Sequence, residues 1–161
     1  MRTAEGIKEY IAEFLEKEYG LELTVPVKLN GRLKRALGRF ITMRKNGVRV
    51  AHELDFAKDL VNNGTIQQIK DVARHEAIHY AMFKLGRPYE DGQEEFEAEL
   101  RKHNASSTNT LRVKRKRLVV IHKCDCTSNN VWEEPRSLGG RYKCTKCEGV
   151  IVEVSRHYEY S

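Results

Sequence analysis

Thr65-Ile-Gln-Gln-Ile-Lys-Asp-Val-Ala-Arg-His75-Glu76-Ala-Ile-His79-Tyr-Ala-Met-Phe-Lys-Leu-Gly86 is the stretch on which the reading of this chain turns. The Thr65 hydroxyl can cap a helix, and Gln68, three residues on, completes a capping box. Ile66, Ile69, Val72 and Ala73 give that helix an apolar face, and Gly86 followed by Pro88 supplies its stop. His75 and His79 then lie on one face, a turn or about 6 Å apart along the axis, where both imidazoles can reach one Zn²⁺ at about 2.0–2.1 Å. Glu76 stands beside the first histidine, placed to take a proton from an activated water without itself being a ligand. At the His and Glu frequencies of this chain, chance supplies the pattern only about 2% of the time. Two histidines on a largely apolar helix would otherwise need other polar partners.

A catalytic zinc needs a third protein ligand and an open position. The residues just downstream are acidic, and the turn at Gly86-Arg-Pro88 returns the chain toward the helix. Asp91 and Glu94, at or just before a second helix from about Gln93 to His103, have the shortest path, and spacing does not separate them.

Outward from this helix, Ile7, Tyr10, Ile11, Phe14 and Leu15 form the stripe of an amphipathic helix that Gly20 should end. Leu21–Val27 alternates and reads as a strand, with Pro26 pointing to an edge. Leu37–Arg44 and Val48–Glu53 flank Lys45-Asn46-Gly47, a hairpin signal because both central residues tolerate positive φ. The expected body is α+β, with the histidine helix packed on a small antiparallel sheet. Asn104–Thr110 reads as a polar linker. Short strand-like pieces follow at Leu118–Ile121 and Val150–Val154.

Charge divides the chain more sharply than its net of +6 suggests. Residues 1–100 hold 16 Lys and Arg against 17 Asp and Glu, whereas residues 101–161 hold 13 against 6. The run Arg112-Val-Lys114-Arg115-Lys116-Arg117 is the densest part, and such clusters gain affinity for nucleic acid by releasing phosphate counterions. A solvated arm is the plainer alternative. Trp132, Tyr142 and Tyr158 could stack on bases or form a small core. All 4 cysteines lie in this tail. Cys124-Asp-Cys126 and Cys144-Thr-Lys-Cys147 approach the spacing of a closed, structural zinc site, with His122 as a substitute ligand, and paired disulfides are the rival. No stretch is apolar over the roughly 20 residues that a membrane span needs. The charged first 20 residues do not read as a signal peptide, which predicts a cytoplasmic protein with no membrane partner.

The Asn30–Arg39 segment, His-Glu-Ala-Ile-His-Tyr at 75–80, Tyr-Glu-Asp-Gly-Gln-Glu-Glu-Phe at 89–96 and the cysteine pairs, in that order, resemble the SprT-like metalloprotease-domain family, which includes the Spartan proteases. The resemblance implies a zincin-like domain over 1–103, a basic linker over 104–117 and a zinc ribbon over 118–161. It implies one catalytic zinc on His75 and His79, one structural zinc, and Glu76 as general base. Many members supply a third histidine a few residues before a Phe equivalent to Phe96. Here Asp91 stands nearest that place, and a His₂-carboxylate set is a known peptidase site. Tyr80 is a possible oxyanion donor. Members include proteases that degrade proteins crosslinked to DNA, which implies a protein or peptide substrate, DNA contact through the basic tail and association with the nucleoid. The rival function is a nucleic-acid-binding ribbon adaptor whose histidine site is structural or inactive.

Overall fold

Helix α1, Ala4–Tyr19, begins where the Thr3 hydroxyl accepts the Gly6 N–H and ends on Gly20 in the left-handed region, whose N–H returns to Glu16. Its stripe is buried at Ile7, Ile11 and Leu15. This computed structural model describes residues 1–108, 110–124, 131–138 and 142–160, with only the backbone of Lys116. The chain forms two compact units, Met1–Val113 and Lys114–Ser161.

In the first unit, β1 (Val27–Asn30), β2 (Gly38–Lys45) and β3 (Val48–Ala57) make one sheet in the order β1-β3-β2. Asn46 and Gly47 both take positive φ, 51° and 78°, which closes the β2–β3 hairpin. The expected antiparallel sheet is in fact mixed. β2 pairs antiparallel with β3, but β1 runs parallel to it, Val27 opposite Leu54. The strand expected over Leu21–Val27 begins only at Val27. Leu21 and Leu23 pack on the core from irregular backbone, where their burial mimics strand alternation.

A short α2 (Lys58–Asn63) leads into α3 (Ile66–Lys84), whose capping box is formed in both directions by Thr65 and Gln68. α3 is the centre of this unit. It packs on α1, on β2 and on α4 (Glu94–Lys102), and its Ile69, Ala73, Ala77 and Tyr80 join Leu54 and Phe56 in the main core. The Tyr80 hydroxyl donates to the Glu22 carbonyl at 2.9 Å and lies 3.0 Å from the Thr24 hydroxyl. It is therefore engaged in holding the β1 approach and does not face the histidines as an oxyanion donor.

Asp55 is 2% exposed and accepts from Asn30 at 2.9 Å and from Arg39 at 2.8 Å. Burial raises its pKa, but the Asn30 and Arg39 hydrogen bonds outweigh it and hold the carboxyl below its ordinary value. A depressed carboxylate contributes stability above its unfolded pKa of about 3.9 and loses it as pH falls through the folded value. Asp55→Asn should therefore cost about 1–3 kcal/mol at neutral pH. Urea midpoints measured from pH 7 downward should show this gap narrowing below about pH 4; a constant gap would remove ionisation from the explanation.

The second unit carries β4 (Lys116–Cys124), β5 (Val131–Glu134) and β6 (Ile151–Tyr160), antiparallel in the order β5-β4-β6. The strand piece expected at Leu118–Ile121 is part of β4, and that expected at Val150–Val154 enters β6 at Ile151, Val150 making only an isolated bridge to Lys143; β5 is too short to show a pattern. The expected 104–117 linker is shared between the units. Ala105 is buried and Leu111 and Val113 pack on the first core, whereas Lys116 and Arg117 open β4. No helix is long and apolar enough to cross a membrane among the described residues.

Candidate metal centre

His75 and His79 project from the same face of α3, 8% and 9% exposed, with their Nε2 atoms 3.0 Å apart. Gly86 takes φ 67° and the Arg87 N–H closes back on the Met82 carbonyl at 2.9 Å, which turns the chain at the end of α3. A second turn at 90–93 pivots on Gly92, φ 83°. Between these turns, Asp91 places Oδ1 3.1 Å from His75 Nε2 and 3.2 Å from His79 Nε2. Glu94, the first residue of α4, is exposed and outside this trio.

The other ring nitrogens explain what the trio can hold. His75 Nδ1 faces the Ser106 carbonyl at 2.7 Å, and His79 Nδ1 faces the Tyr89 carbonyl. A carbonyl only accepts, so each Nδ1 carries the hydrogen and each neutral imidazole turns an Nε2 lone pair inward. Two nitrogen lone pairs and a carboxylate oxygen thus converge with no donor among them. A cation resolves that conflict. Tetrahedral bonds of about 2.05 Å set ligand atoms roughly 3.3 Å apart, so spacings of 3.0–3.2 Å fit such an ion with only small adjustment. With a proton in its place, burial lowers the His75 pKa, but the Asp91 hydrogen bond, Glu76 and the Ser106 carbonyl raise it to about 9. The same two histidines hold the Asp91 carboxyl well below the usual range.

Glu76 is 5% exposed, and its Oε2 has no hydrogen-bond partner. Burial raises its pKa, against the neighbouring histidines and the Phe40 N–H that favour the carboxylate. β2 crosses immediately beside it. A Cβ on Gly38 would stand 2.8 Å from Glu76 Cγ and 2.9 Å from Val72 Cγ1, so only glycine lets the strand pass this close. Phe96 of α4, fully buried, stacks on His79 with centroids 4.2 Å apart.

The polar segment after α4 completes the site in a way the sequence did not indicate. Asp71, one turn before His75, accepts the Ser106 N–H at 2.9 Å and its hydroxyl, which turns the Ser106 carbonyl onto His75. Arg74 reinforces this by donating to the Asn104 carbonyl at 3.0 Å, and Thr108 bonds Asp91. Such carbonyl acceptors fix imidazole orientation at metal sites, yet any residue type can supply one. The Asp71 carboxylate, four residues before His75, was the one available signal.

In the second unit Cys124, Cys144 and Cys147 bring their sulfurs within 4.8 Å of one another. The Cys147–Cys124 separation is 3.9 Å, close to the roughly 3.8 Å expected for zinc thiolates at about 2.3 Å. Cys144 is lowered to about 6, first by the N–H groups of Cys147 and Lys146 and then by Cys124. Cys126 lies outside the described residues. His122 is not part of the group; it is buried against Trp132 and accepts the Leu138 N–H at 3.2 Å.

The basic run spans the boundary between the two units. Arg112 lies in the first, its carbonyl accepting from the Gln68 side chain at 3.1 Å, and Lys114 and Arg115 begin the second. Lys116 and Arg117 lie in β4, where Arg117 pairs with Glu159 at 2.8 Å. Tyr142 is exposed beside Arg136, and Tyr158 is exposed on β6.

Residues 5–117 match the model of the SprT-like family. "Protein SprT-like" of Streptococcus mutans serotype c is 24% identical over 154 residues, covering 91% of this chain and 95% of that protein. The protein of the same name from Streptococcus sanguinis is 22% identical over 146 residues, covering 91% and 95%, and one from Streptococcus pneumoniae is 21% identical over 151, covering 93% and 97%. No solved structure matches the chain. With a family match across most of its length and relatives aligned nearly end to end, this chain belongs to the SprT-like family.

Proposed function

We propose that the chain is a zinc-dependent endopeptidase with a zincin-like catalytic unit and a zinc-stapled second unit. The observation that carries this is the convergence of His75, His79 and Asp91 lone pairs beside a buried, half-unpartnered Glu76 carboxylate. When bound there, zinc supplies Lewis acidity for the scissile carbonyl and for the attacking water. Glu76 receives the water's proton and returns it to the leaving amine. β2, an edge strand beside Glu76, offers backbone groups along which an extended peptide can lie. Cys124, Cys144 and Cys147, with Cys126, hold the second zinc, a thiolate set suited to the reducing cytoplasm. The basic residues at 112–117 and the second unit bring the enzyme to DNA-bound or DNA-crosslinked proteins.

Metal content decides the first step. The full chain should carry two zinc ions by elemental analysis. His79→Ala should carry one and lose cleavage of a DNA-bound protein substrate. Equal zinc in both proteins would sink the peptidase reading and leave a nucleic-acid-binding adaptor in its place.

A further inference from the structure

The first unit is near neutral as a whole, but its charge is segregated. Lys28–Arg49 contains eight Lys and Arg and no Asp or Glu. All eight are exposed. Lys28, Lys34 and Arg39 are answered by Glu53, Asp59 and Asp55 from the following segment. Arg32, Arg35, Arg44, Lys45 and Arg49 have no carboxylate partner among the described residues, and the last three gather at the tip of the β2–β3 hairpin.

Their register makes this grouping unfavourable in the protein alone. Arg44 is directly opposite Arg49 across the ladder, and Lys45 follows it. Like charges at directly opposed positions destabilise a strand pair. Arg49 donates only to the Thr42 hydroxyl, at 3.0 Å. The tip therefore presents three uncompensated cations on a rigid two-residue turn. We propose that this hairpin is a second nucleic-acid contact, carried by the first unit itself, in which Arg44, Lys45 and Arg49 bind phosphates of the backbone. Guanidinium forks match phosphate oxygens, and a two-stranded ribbon is narrow enough for a groove about 12 Å wide. Only Met43 and Val48 accompany the cations as exposed apolar side chains, too little for membrane insertion.

The placement links binding to the candidate site. β2 passes Glu76 at Gly38 and Phe40 and reaches the tip five residues later, about 17 Å at roughly 3.3 Å per residue. A protein attached to the bound strand would stand within reach of Glu76. The hairpin does not depend on the metal reading and is tested without it.

The test is fluorescence anisotropy of the full chain on labelled 30-nucleotide single- and double-stranded DNA of unrelated sequences, across a salt series. R44Q/K45Q/R49Q should bind about tenfold or more weakly at moderate salt, with the slope of log affinity against log salt shallower by about 2–3 on every sequence. Its thermal midpoint should not fall, because the removed charges repel one another. Arg44→Gln and Arg49→Gln alone should each lose about one unit of slope, which guards against a misfolded triple variant. Affinity and slope equal to wild type would overturn the proposal. So would unchanged DNA binding with loss of binding to phosphatidylserine vesicles.

Discussion

Glu76→Gln is expected to slow hydrolysis of a protein substrate by about 10²- to 10⁴-fold, the usual contribution of a positioned acid–base group, with zinc content unchanged. The side chain stands apart from the three converging ligand atoms, so removing its charge leaves the trio intact. Gln is nearly the same size, which matters where β2 at Gly38 already presses on the side chain. Its amide oxygen can keep the Phe40 N–H contact while the unpartnered position loses the ability to take a proton. Burial raises the carboxyl's proton affinity, which is the direction a group must move to receive a proton during turnover. Rates and zinc per chain measured on the same preparations separate the roles. Undiminished hydrolysis would remove Glu76 from the mechanism. Loss of zinc in step with activity would reassign it to holding the site.

What could be read from the chain beforehand was whatever local chemistry dictates. The Thr65–Gln68 box, the α1 stripe closed by Gly20 and the Asn46-Gly47 turn each depend on residues within one or two turns of one another, and each forms. The histidine pair belongs with them, because its geometry is a property of one helix. The parallel pairing of β1 with β3 does not. It joins Val27 to Leu54 across the intervening hairpin, and no short-range pattern records a partner that distant. The choice between Asp91 and Glu94 likewise rests on two glycine turns whose combined direction is a tertiary result. The least legible part is the 104–108 segment. Its composition is that of a loop, and what it contributes is largely a backbone carbonyl aimed at His75. Gly38 was a visible glycine in a strand pattern, but its meaning depends on Glu76 lying beneath it.

Phe96→Ala should produce the largest loss of stability among single changes near the site, about 3–5 kcal/mol for a fully buried aromatic. Phe96 shares a small core with Ile78, Met82, Leu100 and Ala105, separate from the main one, so few neighbours can relax into the space. It also does something Leu100 does not. Its ring stacks on His79 at 4.2 Å, 21° from parallel, and meets His75 at 5.5 Å with the rings nearly perpendicular, so it restricts both imidazoles in addition to their carbonyl acceptors. Truncation should therefore free the His79 ring as well as open a cavity. Leu100→Ala is the control, since it empties the same core while keeping the Phe96 ring that stacks on His79. Urea unfolding in chelator should show both variants destabilised by several kcal/mol, as expected for buried large-to-small changes. Cobalt titration of the folded proteins should show weaker binding at the histidine site for Phe96→Ala alone, because ring orientation is part of ligand affinity. Equal cobalt binding by the two variants would confine Phe96 to packing. Equal weakening would mean that the small core as a whole, and not the stacked ring, holds the metal ligands in place.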